Sequence, residues 1–232
     1  MSLGTQSYFP CWRLGYRCNP FRALTREEWS DLALLPRGLP ENLEDLPTLT
    51  QLFGEQGRGK TSALLALKRE FHQQGKHAIY EYLPPGSRRY MHAMAKDQVL
   101  LLDEIQRLSP RWLNKLLGEL CPLTELQPQL IVSSHLDITQ AVSARGIDAL
   151  SISLEKPSSQ FIREMVENRL IYFSRPGQEG VRLTVDALEY VIGYCASNLR
   201  LLEKLLYETY QTWESERPIE VAHIQGISSH WG

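Results

Sequence analysis

The chain has 232 residues, 43% of them hydrophobic and 22% charged, enough apolar length for one large domain or two modest ones with a sizeable core. A formal net charge of -2 excludes a protein that coats nucleic acid by overall charge and leaves only a local basic patch open. Four scattered cysteines, Cys11, Cys18, Cys121 and Cys195, form no CxxC pair, which argues against a zinc site or a disulfide framework and for reduced thiols in a cytoplasmic protein. No apolar run reaches the roughly 18 residues of a bilayer span, and "MSLGTQSYFP" lacks the charged and apolar regions of a signal peptide.

Residues 1–47 are rich in Pro, Arg and Trp and form an N-terminal extension with one short helix, "TREEWSDLALL", in which Thr25 and Glu28 make a capping-box pattern. Residues 48–156 alternate between strands and helices. "LTQLF", bounded by Pro47 and Gly54, predicts a strand, and a helix runs from about Gly59 to Gln73 before the stop at Gly75. "HAIYEYL" alternates as a second strand, and "QVLLLDE" is a continuous apolar run ending in two carboxylates, the pattern of a strand buried on both faces. "SPRWLNKLLGEL" has Ser109 at the N-cap and Pro110 at N1, with Leu113, Leu116, Leu117 and Leu120 on one side. "QLIVSSH" and "ALSISLEK" complete the strands. Residues 157–232 carry three amphipathic helices with no strand between them, "SSQFIREMVENRLIYF", "TVDALEYVIGYCA" and "SNLRLLEKLLYETYQTW". The order predicts a parallel α/β domain sandwiched by helices, followed by a small all-helical lid domain.

Gly54-Glu55-Gln56-Gly57-Arg58-Gly59-Lys60-Thr61 fits G-x-x-x-x-G-K-[ST] at every fixed position. Glycines let the backbone turn its N–H groups toward a phosphate, and the helix N-terminus adds its positive end. Gly54, Gln56, Gly57, Arg58, Gly59, Lys60, Thr61 and Ser62 are therefore the expected nucleotide-binding set. Lys60 is expected to reach the β- and γ-oxygens, and Thr61 to ligate Mg²⁺. Asp103 closes an apolar strand downstream, where an acidic residue completes the Mg²⁺ site, and Glu104 is placed to polarise an attacking water. An Asp-Glu pair favours hydrolysis over phosphoryl transfer to a small acceptor. The chain has no guanine-reading NKxD motif, so ATP is the expected nucleotide.

With these motifs in order, the chain resembles an AAA+ ATPase, and among those the initiator-like and transposition- or secretion-associated ATPases. The resemblance spans about Leu14 to Gln225. "GEQGRGKT" and "VLLLDEIQRL" resemble the two Walker motifs, and "LGYRCNPF" is similar to the segment packed near adenine, which implies Asn19, Pro20 and Phe21 at the base. "LIVSSHLDI" resembles the sensor-1 strand and offers Ser134, the favoured residue, and His135. "ASNLRLLEKLL" is similar to the sensor-2 helix, which implies that Arg200 reaches the nucleotide. The resemblance also implies that Arg145, just before the fifth strand, is either an arginine finger toward a neighbouring subunit or a surface residue.

Two basic segments stay open. Arg13, Arg17, Arg22 and Arg26 interleave with Trp12, Tyr16 and Phe21, which suits nucleic acid or packing beside the adenine. Arg88 and Arg89, in "PPGSRRYMHAMAKD", meet a phosphate backbone, an acidic partner or solvent. The expected function is an ATP hydrolase that assembles as a homo-oligomer and remodels or recruits a partner, with a protein partner favoured. The alternatives are a DNA-associated regulator and a nucleotide-gated subunit with little hydrolysis.

Overall fold

A computed structural model describes residues 10–95, 98–120, 129–196 and 198–231. Two compact units emerge, residues 26–155 and residues 1–25 with 156–232. The stretch 1–47, one extension in the sequence, is thus divided: its first part belongs with the C-terminal helices and its second with the sheet. The expectation of an idle thiol at Cys121 lies outside the described residues.

The α/β unit is built on five parallel strands, β1 (Leu49–Phe53), β2 (His77–Tyr82), β3 (Gln98–Asp103), β4 (Gln129–Ser134) and β5 (Ala149–Ser153), in the order β2-β3-β4-β1-β5. β4 lies between β1 and β3, pairing Leu52 with Ser133 and Leu102 with Val132. The two strands that carry the phosphate loop and the acidic pair are therefore one strand apart, joined by β4.

Helices cover both faces, as continuous apolar strands require. On one face Leu52, Val99, Leu101, Ile131 and Ile152 pack with Ala63, Leu64, Leu67 and Phe71 of α2 (Lys60–Gln73). The short α1 (Arg26–Leu32) joins this unit through its Trp29 indole, which donates to Ser62 Oγ at 2.9 Å. On the other face Leu49, Leu100, Leu102, Leu130 and Val132 meet Leu116 and Leu117 of α3 (Pro110–Glu119) and Val142 of α4 (Thr139–Ser143). Ser109 caps α3 by accepting the Trp112 N–H, with Pro110 at the position where its missing donor costs nothing. Alternation along each strand assigns side chains to these faces, and this parity decides which polar groups meet at the strand ends.

The second unit contains α5 (Ser159–Phe173), α6 (Val185–Cys195), α7 (Leu199–Thr212) and α8 (Val221–Ser228), one helix more than the three expected. Ser158, Thr184 and Asn198 accept N–H groups of the first turns of α5, α6 and α7. The N-terminal segment threads this helical core. Tyr16, fully buried, donates to the Val181 carbonyl at 2.7 Å, and its ring packs so closely on Gly180 that a Cβ there would lie 2.2 Å from it. No helix among the described residues is long and apolar enough to cross a membrane.

Candidate functional site

The loop from Gly54 to Gly59 follows β1 directly and ends at the first residue of α2. Gly54 needs to be glycine because a Cβ would come within 2.7 Å of the Leu154 carbonyl oxygen. Gly57 and Gly59 both adopt left-handed φ, 83° and 84°, and nothing stands within 4 Å of where their Cβ atoms would be. The loop therefore leaves an open cradle over the helix start. Gly59 is the N-cap and offers no side-chain acceptor, so the first-turn N–H groups of α2 are available to an anion. Arg58 pairs with Glu55 across the loop. Gln56 is exposed above it.

Lys60 is only 5% exposed, and its Nζ donates to the Gly54 carbonyl at 2.7 Å and to the Glu55 carbonyl at 2.9 Å. Burial pulls its pKa below the usual lysine range, while the charges of Glu104 and Asp103 oppose that shift. Two carbonyls thus hold the ammonium where incoming phosphate oxygens can replace them.

Thr61 Oγ1 donates to Asp103 Oδ2 at 2.7 Å, across 42 residues of sequence. Asp103 is fully buried, and it accepts two further hydroxyl protons, from Tyr80 at 2.9 Å on the same oxygen and from Ser133 on Oδ1. A hydroxyl and a carboxylate in contact at the foot of a phosphate cradle are the hard oxygen donors that Mg²⁺ takes together with phosphate oxygens, so the residues fit both ATP and its metal. Among the described residues no cluster of three His, Cys, Asp or Glu forms a separate metal site.

Glu104 follows in a left-handed conformation, φ 69° and ψ 45°, unusual for a residue with a side chain. Its N–H donates to Ser133 Oγ at 2.8 Å, so one serine pins both acidic residues. The Glu104 carboxylate accepts from Gln106 Nε2 at 2.7 Å and lies 3.2 Å from the Arg107 guanidinium. His135 bridges the site: its Nδ1 is 3.4 Å from Lys60 Nζ, and its Nε2 is 3.5 Å from Glu104 Oε2.

Ser134, favoured in sequence for contact with the phosphate, is arranged differently. Its hydroxyl is buried and accepts the Leu136 N–H at 3.0 Å, turning into its own chain, while its backbone carbonyl accepts the Gly54 N–H at 3.3 Å. The physical reason is strand parity: Ile131 faces α2, so Ser133 does too, and Ser134 points to the opposite face. Ser133 and Tyr80 escaped the sequence reading, although the alternation along β4 and β2 carries the signal for both. Gln51 was missed as well. Buried in β1, it donates to the Leu136 carbonyl and accepts the Ile138 N–H at 2.9 Å, fixing the chain that carries His135.

The remaining expected residues lie elsewhere. Arg145 is exposed and donates to Asn114 Oδ1 of α3 at 2.7 Å. Arg200 is exposed on the first turn of α7 in the helical unit. Asn19, Pro20 and Phe21 are buried in that same unit. Asn19 Nδ2 donates to the Tyr207 carbonyl at 2.9 Å, its Oδ1 accepts the Phe21 N–H at 2.9 Å, and Phe21 packs on Tyr210 with ring centroids 5.3 Å apart. These side chains are committed to helical packing, which also accounts for Tyr16 and Phe21 among the N-terminal arginines without nucleic acid.

No family model and no curated protein match the sequence. Among solved structures, the chain is similar to the Holliday junction branch migration motor RuvB of Thermotoga maritima, with a TM-score of 0.56 and 15% identity over 80% of this chain and 62% of that one. A substituted form of the same RuvB gives a TM-score of 0.58 at 15% identity, covering 80% and 62%. AMPPCP-bound DnaA from Aquifex aeolicus gives 0.51 at 19% identity, covering 75% and 59%. The chain spans about six tenths of the length of these proteins, and at such identities the likeness speaks for the fold. With a complete phosphate loop, an acidic pair one strand away and a separate helical unit, the chain has the fold of the AAA+ P-loop ATPases.

Proposed function

We propose that this chain is an ATP hydrolase of the AAA+ type, which uses ATP binding and turnover to switch its own assembly and thereby engage or release a partner. The observation that supports it most is the 2.7 Å hydrogen bond from Thr61 to Asp103, which makes one site of two distant motifs with Glu104 as the next residue. Bound ATP and Mg²⁺ would supply the phosphoanhydride bond and the divalent charge that neutralises it. The chain's own residues do the rest. The N–H groups of residues 57–62 orient the phosphates, Thr61 and Asp103 hold the metal, and Lys60 exchanges two carbonyls for phosphate oxygens.

Glu104 accepts a proton from the attacking water at its carboxylate. His135 faces both Lys60 and Glu104, which supports it rather than the Ser134 hydroxyl as the polar group sensing the terminal phosphate. Arg145 acts as a finger toward a neighbouring protomer, where a guanidinium stabilises charge on the transferring group. Homo-oligomerisation follows from a site shared in this way. The partner favoured from sequence is a protein; the likeness to RuvB, a Holliday junction branch migration motor, supports DNA as the alternative.

The test is the mass in solution with ATP, with ADP and without nucleotide, beside turnover in Glu104→Gln. ATP-driven assembly that survives in Glu104→Gln while hydrolysis collapses is the expected outcome. A protein that stays monomeric in ATP, with turnover unaffected by the substitution, refutes the shared hydrolytic site.

A further inference from the structure

Residues 83–97, which connect β2 to β3, and residues 105–119, which lead into and along α3, contain one acidic residue each, Asp97 and Glu119. They carry Arg88, Arg89, Arg111 and Lys115, all exposed. Contacts join the two segments into one surface. The Ser109 N–H donates to the Arg88 carbonyl at 3.0 Å, Tyr90 packs edge-on against Trp112 at 5.3 Å, and the Lys115 ammonium lies over Trp112 at 4.7 Å and near Glu119 at 3.9 Å. In a chain of net charge -2 this is a concentration of positive charge in one place.

Hydrogen bonds also brace residues 84–92 of this connection, which bears on its use. Glu81, 9% exposed, accepts the Met91 N–H at 2.7 Å, the His92 N–H at 3.1 Å and the His92 ring at 2.7 Å. Ser87 bonds the Pro84 and Arg89 carbonyls, both at 3.0 Å. Tyr90 is anchored through its hydroxyl to Glu119 at 3.2 Å. A backbone braced in this way is fixed before a ligand arrives, which lowers the ordering cost of binding.

We propose that this surface binds the sugar–phosphate backbone of duplex DNA without reading its sequence. Cations from a loop and a helix, outnumbering the single carboxylate at the end of each, suit a regular row of phosphates. Single strands are bound on open aromatic platforms, and here the aromatic groups are engaged: Arg107 lies over the Tyr82 ring at 5.3 Å, Tyr90 is buried, and Lys115 covers Trp112. None of Arg88, Arg89, Arg111 and Lys115 is among the residues placed at the candidate nucleotide site, so the test does not depend on hydrolysis.

The experiment is fluorescence anisotropy of a labelled 30-base-pair duplex of mixed sequence titrated with the full chain at several salt concentrations. Four neutralised phosphates give a log–log salt slope of about -3.6, or roughly a hundredfold weakening between 50 and 200 mM salt. Arg88→Ala with Arg89→Ala is expected to reduce the slope by about 2, with thermal melting and ATP binding unchanged. Arg111→Gln with Lys115→Gln is expected to do the same from α3, so the result does not hang on one loop. Absence of salt-dependent binding, or a wild-type slope in both double variants, overturns the proposal. Tighter binding of a single strand of the same length overturns it in favour of stacking. Displacement of the duplex by poly-L-glutamate at equal charge overturns it in favour of an acidic protein partner.

Discussion

Tyr80→Phe isolates one hydrogen bond at the centre of the candidate site. The phenol donates to Asp103 Oδ2 at 2.9 Å, and Asp103 has no exposure to water that could replace the lost donor. Burial and the neighbouring Asp103 carboxylate hold the Tyr80 hydroxyl protonated far above the usual phenol range, so the bond persists at every working pH. Phenylalanine keeps the ring packed with the α2-facing cluster and beneath the Arg26 guanidinium, 5.2 Å from its centroid. The change therefore removes a hydrogen bond to a charged acceptor and little else, a loss of about 1.5–3 kcal/mol. For a chain of this size that corresponds to a fall in Tm of roughly 3–12 °C. Urea and thermal unfolding followed by circular dichroism measure it directly. Thr61 and Ser133 still donate to Asp103, so nucleotide binding should weaken less than stability does. A variant within about 0.5 kcal/mol of wild type, below what any mechanism of buried loss supplies, refutes the view that Tyr80 supports the carboxylate.

Gln51→Leu should cost about 2–4 kcal/mol in urea unfolding, because the Leu136 carbonyl and the Ile138 N–H both lose their buried partner. Arg107→Ala, which releases the Glu104 carboxylate from a guanidinium 3.2 Å away, should raise basal phosphate release by up to about fivefold; unchanged or lower turnover would show that Arg107 does not restrain Glu104. The buried thiols give a pH dependence. Burial raises Cys11 to about 12 and Cys195 to about 11 from an ordinary 9.0. Between about pH 9 and 12 the unfolded chain has therefore released protons that the folded chain retains, and stability falls as pH rises through that window. A thiol reagent at pH 8 should modify neither residue in the folded protein and both in denaturant, counted by mass spectrometry.

Much of the site is legible because its chemistry is local. The glycines, Lys60 and Thr61 form one unbroken segment, and their spacing alone specifies a turn whose N–H groups point one way into a helix start. Asp103 and Glu104 are visible because an apolar run of strand length ends on two charges. The expected exchange of helices for strands after residue 156 likewise needs only the change of hydrophobic period from 2 to 3.6.

What the chain alone did not decide depends on which strands are neighbours and which way their side chains face. Tyr80 reaches Asp103 because β2 pairs in parallel with β3, and Ser133 because β4 pairs with β3 on its other side. A one-residue change of parity separates Ser133, at the carboxylate pair, from Ser134, turned into its own loop. Asn19 and Phe21 illustrate the same limit from the other direction. Asn19 bonds Tyr207, 188 residues further on, and the burial of this segment among α5 and α7 is set by long-range packing that no local pattern encodes. Sequence periodicity and a glycine-rich loop therefore determined the candidate phosphate loop, while strand order and side-chain parity, properties of the assembled sheet, determined which polar groups stand around it.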